Sequence, residues 1–99
     1  MEELEIEVIE ENELVPHTSL KKKTSPYMTK FEYSKLKGFR IIQLMHGKPP
    51  KVNLESYVDY EIIAEREIHE KVIPLRIKRR LPGGEIEIWN ISEMNIRDW

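Results

Sequence analysis

Cysteine is absent from this chain of 99 residues. It therefore has no disulfide framework, thiolate metal site or cysteine nucleophile, and the expected setting is intracellular. Histidine is scarce. His17, His46 and His69 lie far apart, with no Cys or carboxylate at metal-ligand spacing, so they read as structural or exposed side chains. Glycine is equally sparse, and Gly83 and Gly84 belong to a turn rather than to a phosphate-cradling loop. Neither a Ser/His/Asp order nor an EF-hand spacing is present. The Glu-rich start supplies carboxylates but no rigid element to hold two at a working separation. No apolar run approaches the ~18 residues that a membrane helix requires, and the acidic start from Glu2 is unlike a secretory signal. With no convergent reactive groups, metal ligands or cofactor motif, the chain reads as non-catalytic.

What the chain has in quantity is charge. Charged residues make up 34% of it, hydrophobic residues 39%, and mean hydropathy is −0.56. These values fit one small soluble domain with a modest core, the kind that leans on a partner. The net charge of −2 hides an asymmetry: residues 1–15 contain seven Glu and no Lys or Arg, so the rest carries +5 (−7 + 5 = −2). Residues 1–23 read as an acidic tail and linker, and residues 24–99 as the folded domain. Within the tail, Glu3, Glu5 and Glu7 alternate with Leu4, Ile6 and Val8. Two readings stay open: a flexible acidic tail, or a strand added to the sheet edge of a larger protein. The linker from Pro16 ends in Lys21, Lys22 and Lys23, which read as a solvated loop.

The run Thr24–Gln43 carries the clearest local signals. Pro26 holds Ser25 extended, Thr29 and Glu32 form a T-x-x-E capping box, and Met28 and Tyr33 fall at staple positions. A helix from Lys30 to about His46 is predicted, ending at Gly47 before Pro49 and Pro50. Leu36, Phe39, Ile42 and Gln43 form its expected core stripe, while Ile41, Leu44 and Met45 make the last turn apolar nearly all round. Such an end calls for cover from another chain. Gly38, mid-helix, points to close backbone packing. Val52–Leu54 reads as a short extended piece. Asp59 is the expected cap of a second helix through Val72, with Tyr60, Ile63, Ala64 and Ile68 facing the first and Glu67 pairing with Lys71.

After Pro74, LRIKRRLPGGEIEIW alternates around Pro-Gly-Gly and predicts a hairpin. A two-residue turn places Arg76, Lys78 and Arg80 on one face with Glu85, Glu87 and Trp89. Leu75, Ile77 and Leu81 then share the other with Ile86 and Ile88. Arg79 falls among the apolar side chains, either snorkelling to water or pairing with a partner. Ile91, Met94, Ile96 and Trp99 make a sticky tail. The expected fold is α+β and mainly helical: two packed helices followed by a C-terminal hairpin.

TSPYMTKFE, followed by Gly38, Arg40 and Gln43, closely resembles the signature of the omega-like small subunit of multisubunit RNA polymerases, the family of bacterial omega, archaeal subunit K and the eukaryotic common sixth subunit. IAEREI at 63–68 and VIPLRIKRRLPGGEIEIW at 72–89 resemble a second block of that family, so the likeness covers roughly residues 24–91. The resemblance implies that the first helix and its capping loop pack on the largest polymerase subunit near the base of the clamp, promoting its folding and assembly. It carries over Thr24, Pro26, Tyr27, Thr29, Phe31, Glu32, Gly38, Arg40, Gln43, Ala64, Glu67, Pro74, Lys78, Arg79, Leu81, Pro82, Gly84 and Trp89. The expected partner-binding set within these is Pro26, Tyr27, Thr29, Phe31, Glu32, Gly38, Arg40, Gln43, Ala64, Glu67, Arg79 and Leu81. Nucleic acid would be met only through the complex, and neither a homo-oligomer nor a membrane is implied.

Tyr33, Lys35 and Ile41 depart from the family pattern, which has Arg, Arg and Ala there. Ile41 implies a repacked groove in the partner, and the divergence points to the polymerase of a large DNA virus. A cellular member would be nuclear, and a viral one would reside in host cytoplasm and virion. The competing reading is a free-standing regulatory or nucleic-acid-binding module using Lys21–Lys23 and Arg76–Arg80. Under the polymerase reading, Arg40→Ala is expected to weaken assembly and spare the isolated fold.

Overall fold

The computed structural model describes residues 4–15, 18, 21–54 and 59–97. In chain order it contains β1 (Glu5–Glu10), α1 (Lys30–Met45), α2 (Tyr60–His69), β2 (Leu75–Arg80) and β3 (Ile86–Asn90), then a short 3-10 turn at Ile91–Glu93. The strands form an antiparallel sheet in the order β1-β2-β3. The architecture is therefore α+β with helices in one layer and a three-stranded sheet in the other, and the expectation of a mainly helical chain with only a hairpin is corrected. The extra strand comes from the acidic segment. Its period-2 alternation is realised on this chain's own hairpin, where Glu5 faces Arg80 and Glu7 faces Lys78. Two glutamates of the acidic segment, Glu5 and Glu7, thus lie in register with Arg80 and Lys78 of the basic strand.

The hairpin register also differs from expectation. Leu81 N–H donates to Glu85 O (2.8 Å) and Gly84 N–H to Leu81 O (2.9 Å), so the loop is Pro82-Gly83-Gly84, three residues rather than two. Gly84 has φ of 91°, the left-handed position that closes such a loop after a turn with Pro at its second residue. One additional loop residue inverts the parity. Arg79 now stands opposite Glu87, and Ile77 opposite Trp89, on the buried face. Arg76, Lys78 and Arg80 share the other face with Ile86 and Ile88.

α1 starts on the Thr29–Glu32 capping box, with Glu32 N–H donating to Thr29 Oγ1 and Thr29 N–H to Glu32 Oε1, both at 3.0 Å. It ends in a Schellman turn at Gly47, where Lys48 N–H reaches Gln43 O (3.0 Å) and Gly47 N–H reaches Leu44 O (3.1 Å). α2 starts on Asp59, whose carboxylate accepts Ile62 N–H (2.9 Å), and stops at His69, three residues short of the expected end. Its own Schellman turn puts Lys71, not glycine, at φ of 59°. Residues 52–54 form no strand.

The core gathers Met28, Tyr33 and Leu36 from the first helix and its entry, Ile68 from α2, Leu75 and Ile77 from β2, Trp89 from β3, and Ile73, Ile91 and Met94. The C-terminal apolar run thus packs inward at Ile91, Met94 and Ile96; Trp99 lies outside the described residues, as do Pro16 and His17. α1's buried stripe is Tyr33, Leu36, Arg40 and Leu44, whereas Phe39 and Ile42 are exposed. Arg40 occupies a core position because α2 answers it. Its Nε donates to Glu67 Oε1 (2.5 Å) and Nη2 to Glu67 Oε2 (3.1 Å), with further bonds from Nη1 to Gln43 Oε1 (3.0 Å) and Nη2 to Pro49 O (2.9 Å). Lys51 N–H completes the set on Glu67 Oε2 (2.8 Å). Glu67 therefore pairs with Arg40 rather than Lys71. Removing one member of such a buried pair strands the other without water, a loss of about 3–5 kcal/mol. Arg40→Ala should accordingly destabilise the isolated chain by that amount in urea unfolding, against the sequence-based expectation; a free chain of unchanged midpoint would contradict this arrangement.

Candidate interaction surface

The loop leading into α1 is held from two sides. On one side, Met28 N–H donates to Asn95 O and Asn95 N–H to Pro26 O, both at 2.9 Å. On the other stands Arg79, only 2% exposed. Its Nε donates to Glu32 Oε2 (2.7 Å) and Nη2 to Glu32 Oε1 (2.8 Å), a two-pronged pair. Nη1 reaches Thr24 Oγ1 (2.9 Å) and Ser25 O (2.6 Å), and Nη2 also reaches Tyr27 O (3.2 Å). Every nitrogen of the guanidinium is engaged within the chain. This outcome replaces both sequence-based expectations for Arg79, a snorkelling side chain or an ion pair to a partner.

Opposite Arg79 on β3, Glu87 accepts Lys23 N–H (2.6 Å), the Thr24 hydroxyl and Trp89 Nε1–H (3.1 Å). Thr24 thus accepts from Arg79 and donates to Glu87. The Trp89 ring has Lys22 Nζ 4.5 Å and Arg79 Cζ 5.2 Å from its centroid. Lys22 also pairs with Glu93 (2.6 Å) and Lys23 with Glu85 (2.9 Å). Lys22 and Lys23 are therefore occupied by this chain's own carboxylates and its tryptophan.

With these groups turned inward, α1 exposes several large apolar side chains among its polar ones. Phe31 is 59% exposed, Ile42 58% and Met45 63%; with Lys35 and Gly38 they form a stripe at alternating spacings of four and three residues. Phe39 lies beside it. A Cβ built on Gly38 would meet nothing within 4 Å, so no packing inside the chain calls for glycine there. A groove of about 460 Å³ runs between α1 and β1, lined by Ile6, Glu7 and Val8 of β1 and by Ser34, Lys35, Gly38, Phe39 and Ile42 of α1.

The structure divides the twelve expected partner-binding residues. Glu32, Arg40, Ala64, Glu67 and Arg79 are buried, the four charged ones in the two internal ion pairs. Gln43 and Leu81 are half-buried, while Pro26, Tyr27, Thr29, Phe31 and Gly38 are exposed. Sequence reasoning misses Phe39 and Ile42 as surface residues because it assigns them to the core, whereas exposed Met45 belongs to the apolar helix end for which it expects cover from another chain. It also misses Glu87, for which the shifted hairpin register conceals the signal.

Burial opposes ionisation of Glu87, but the Lys23 amide, the Thr24 hydroxyl and the Trp89 indole outweigh it and hold the carboxyl below the usual range. A carboxyl depressed in the folded state contributes stability above its unfolded value of about 4.3, and that contribution is lost as pH falls through the folded value. Acid titration followed by NMR should therefore release the Lys23 amide below about pH 4.3, and Glu87→Gln should flatten the acid limb of stability. An acid limb unchanged by Glu87→Gln would contradict the assignment.

No family model matches the chain. Among individual proteins, it is 37% identical over 76 residues to the probable DNA-directed RNA polymerases I, II, and III subunit RPABC2 of Caenorhabditis elegans, covering 77% of this chain and 56% of that protein. It is 44% identical over 71 residues to the Saccharomyces cerevisiae subunit of the same name (72% and 46%), and 43% over 75 residues to that of Dictyostelium discoideum (76% and 56%). The match spans about half the length of these relatives. All three are from cellular eukaryotes, and they lend no support to a viral source. On these identities the chain belongs to the omega-like family of small RNA polymerase subunits, the family of the eukaryotic common sixth subunit.

Proposed function

We propose that this chain is a non-catalytic subunit of a DNA-dependent RNA polymerase, which binds the largest subunit near the base of the clamp and supports its folding, assembly and stability. The observation that carries the reading is the exposed apolar side chains Phe31, Ile42 and Met45 on a helix whose buried charged residues, Glu32 and Arg40, are already paired within the chain. A stripe of that kind on a small domain favours burial against another protein. The names of the relatives, all RNA polymerase subunits, support the choice of partner. Family resemblance supports the largest subunit and the clamp base in particular.

The same geometry favours a structural over a chemical role. Glu32, Glu67 and Glu87 are buried and each is held by three donors within the chain, which is the work of structural carboxylates. Helix entry and helix middle are each pinned by an internal Arg–Glu pair, which presents the apolar face without a large ordering cost at binding. The protein would reside with its polymerase, in the nucleus of a cellular eukaryote. A nucleic-acid-binding module has less support, since Lys22, Lys23, Arg79 and Arg80 pair with the chain's own carboxylates.

Ile42→Asp and Met45→Asp place a carboxylate in that stripe. Each should leave the urea midpoint of the free chain within about 0.5 kcal/mol of the parent while reducing 1:1 co-purification with the polymerase at least about tenfold, because an unpaired charge is costly to desolvate. Undiminished recovery of both variants in the polymerase would remove α1 from the interface. A free monomer that binds nucleic acid with a steep salt slope would replace the reading altogether.

A further inference from the structure

β1 is an edge strand. Its hydrogen-bonding partner is β2, and among the described residues no strand pairs with its other side. Backbone N–H and C=O groups on that side are therefore available for pairing, a feature that folded proteins otherwise blunt or cover. Beneath it runs the groove formed with α1, lined by Ile6 and Val8 of β1 and by Gly38, Phe39 and Ile42 of α1. Ile6 and Val8 stand opposite Arg79 and Ile77, so they project to the helical side of the sheet; Glu5 and Glu7 project to the other.

We propose that β1 receives a fourth strand: an extended segment of the polymerase, antiparallel or parallel, with aliphatic side chains entering the groove and basic side chains on the opposite face. The inference rests on the polymerase reading above and adds the manner of attachment. Three features select this occupant. A strand laid beside β1 has alternate residues facing Ile6 and Val8, and the groove gives those side chains an apolar bed bounded by Phe39 and Ile42. Gly38 has no Cβ at that bed, and nothing inside the chain requires its absence. On the other face stands Glu7, exposed and, among the described residues, without an ion-pair partner, beside Glu5, whose contact with Arg80 is a loose 3.7 Å. A Lys or Arg on the incoming strand would meet both.

Charge also excludes the simplest competitor. A second copy of this chain pairing through β1 would bring together two acidic segments, each with seven Glu and no basic residue in residues 1–15. Like charges facing each other across strands are destabilising. The edge thus refuses itself and accepts a basic strand.

Hydrogen–deuterium exchange with residue-level resolution, on the free chain and on the chain within purified polymerase, tests the proposal. In the free chain, alternate amides of Glu5–Glu10, those pointing away from β2, should exchange quickly. In the complex the same amides should slow by on the order of tenfold or more, as hydrogen-bonded strand amides do. Glu7→Gln should weaken incorporation a few-fold at low salt, and the difference should shrink at high salt. Absence of the chain from the polymerase would overturn the polymerase reading itself. Incorporation with the outward β1 amides still fast would overturn strand addition alone, and leave the α1 surface as the attachment. Protected amides with Glu7→Gln behaving as the parent would overturn the basic character of the strand. Protection that appears in the free chain and rises with its concentration would assign the edge to a second copy instead.

Discussion

The pair between Arg79 and Glu32 is the contact on which the rest of this small structure depends. Glu32 belongs at once to the capping box that starts α1 and to the buried ion pair that ties α1 to β2. Arg79 fastens the loop before the helix through Thr24, Ser25 and Tyr27. Helix start, loop and sheet thus meet on two side chains. A buried pair of this kind adds little stability over an apolar core of equal volume, because both charges must be desolvated. What it adds here is specificity. A one-residue slip of β2 would carry Arg79 to the outer face and strand Glu32 in the core, so the pair rejects the alternative register. The Arg40–Glu67 pair does the same for the approach of α1 to α2.

This internal bookkeeping of charge explains why the acidic start and the basic strand occur in one chain. β1 lays Glu5 and Glu7 in register with Arg80 and Lys78, though Glu5 makes only a loose ion pair with Arg80, and Lys22 and Lys23 fold back on Glu93, Trp89 and Glu85. The outward-facing side of α1 and the edge of β1 remain as the surfaces with unmet demand, one apolar and one for backbone pairing.

Local chemistry was legible in the sequence wherever a few adjacent residues decide the outcome. Thr29 and Glu32 announced the cap, Gly47 the helix end, Asp59 the second helix start, and Pro82-Gly83-Gly84 a turn. Errors arose where the decision is made by residues far apart. Hydrophobic spacing alone points to Phe39 and Ile42 as the buried face of α1, because Arg40 fits a core only when Glu67, 27 residues later, answers it. Hairpin parity hung on one loop residue, since Pro-Gly-Gly serves two- and three-residue loops alike. The acidic segment was read as a tail or as another protein's strand because its partner, β2, lies some 70 residues away in the chain. Family likeness marked Glu32, Arg40, Glu67 and Arg79 as important, but a motif does not say whether a residue faces its own core or a partner.

A double-mutant cycle in the isolated chain measures directly whether Glu32 and Arg79 serve the fold or a partner. Glu32→Gln, Arg79→Gln and the combined variant should give a coupling energy of about 2–3 kcal/mol in urea unfolding, because each single change leaves a buried charge unanswered. A coupling near zero, with both single variants as stable as the parent, would show that these side chains are held for a partner and not for the fold.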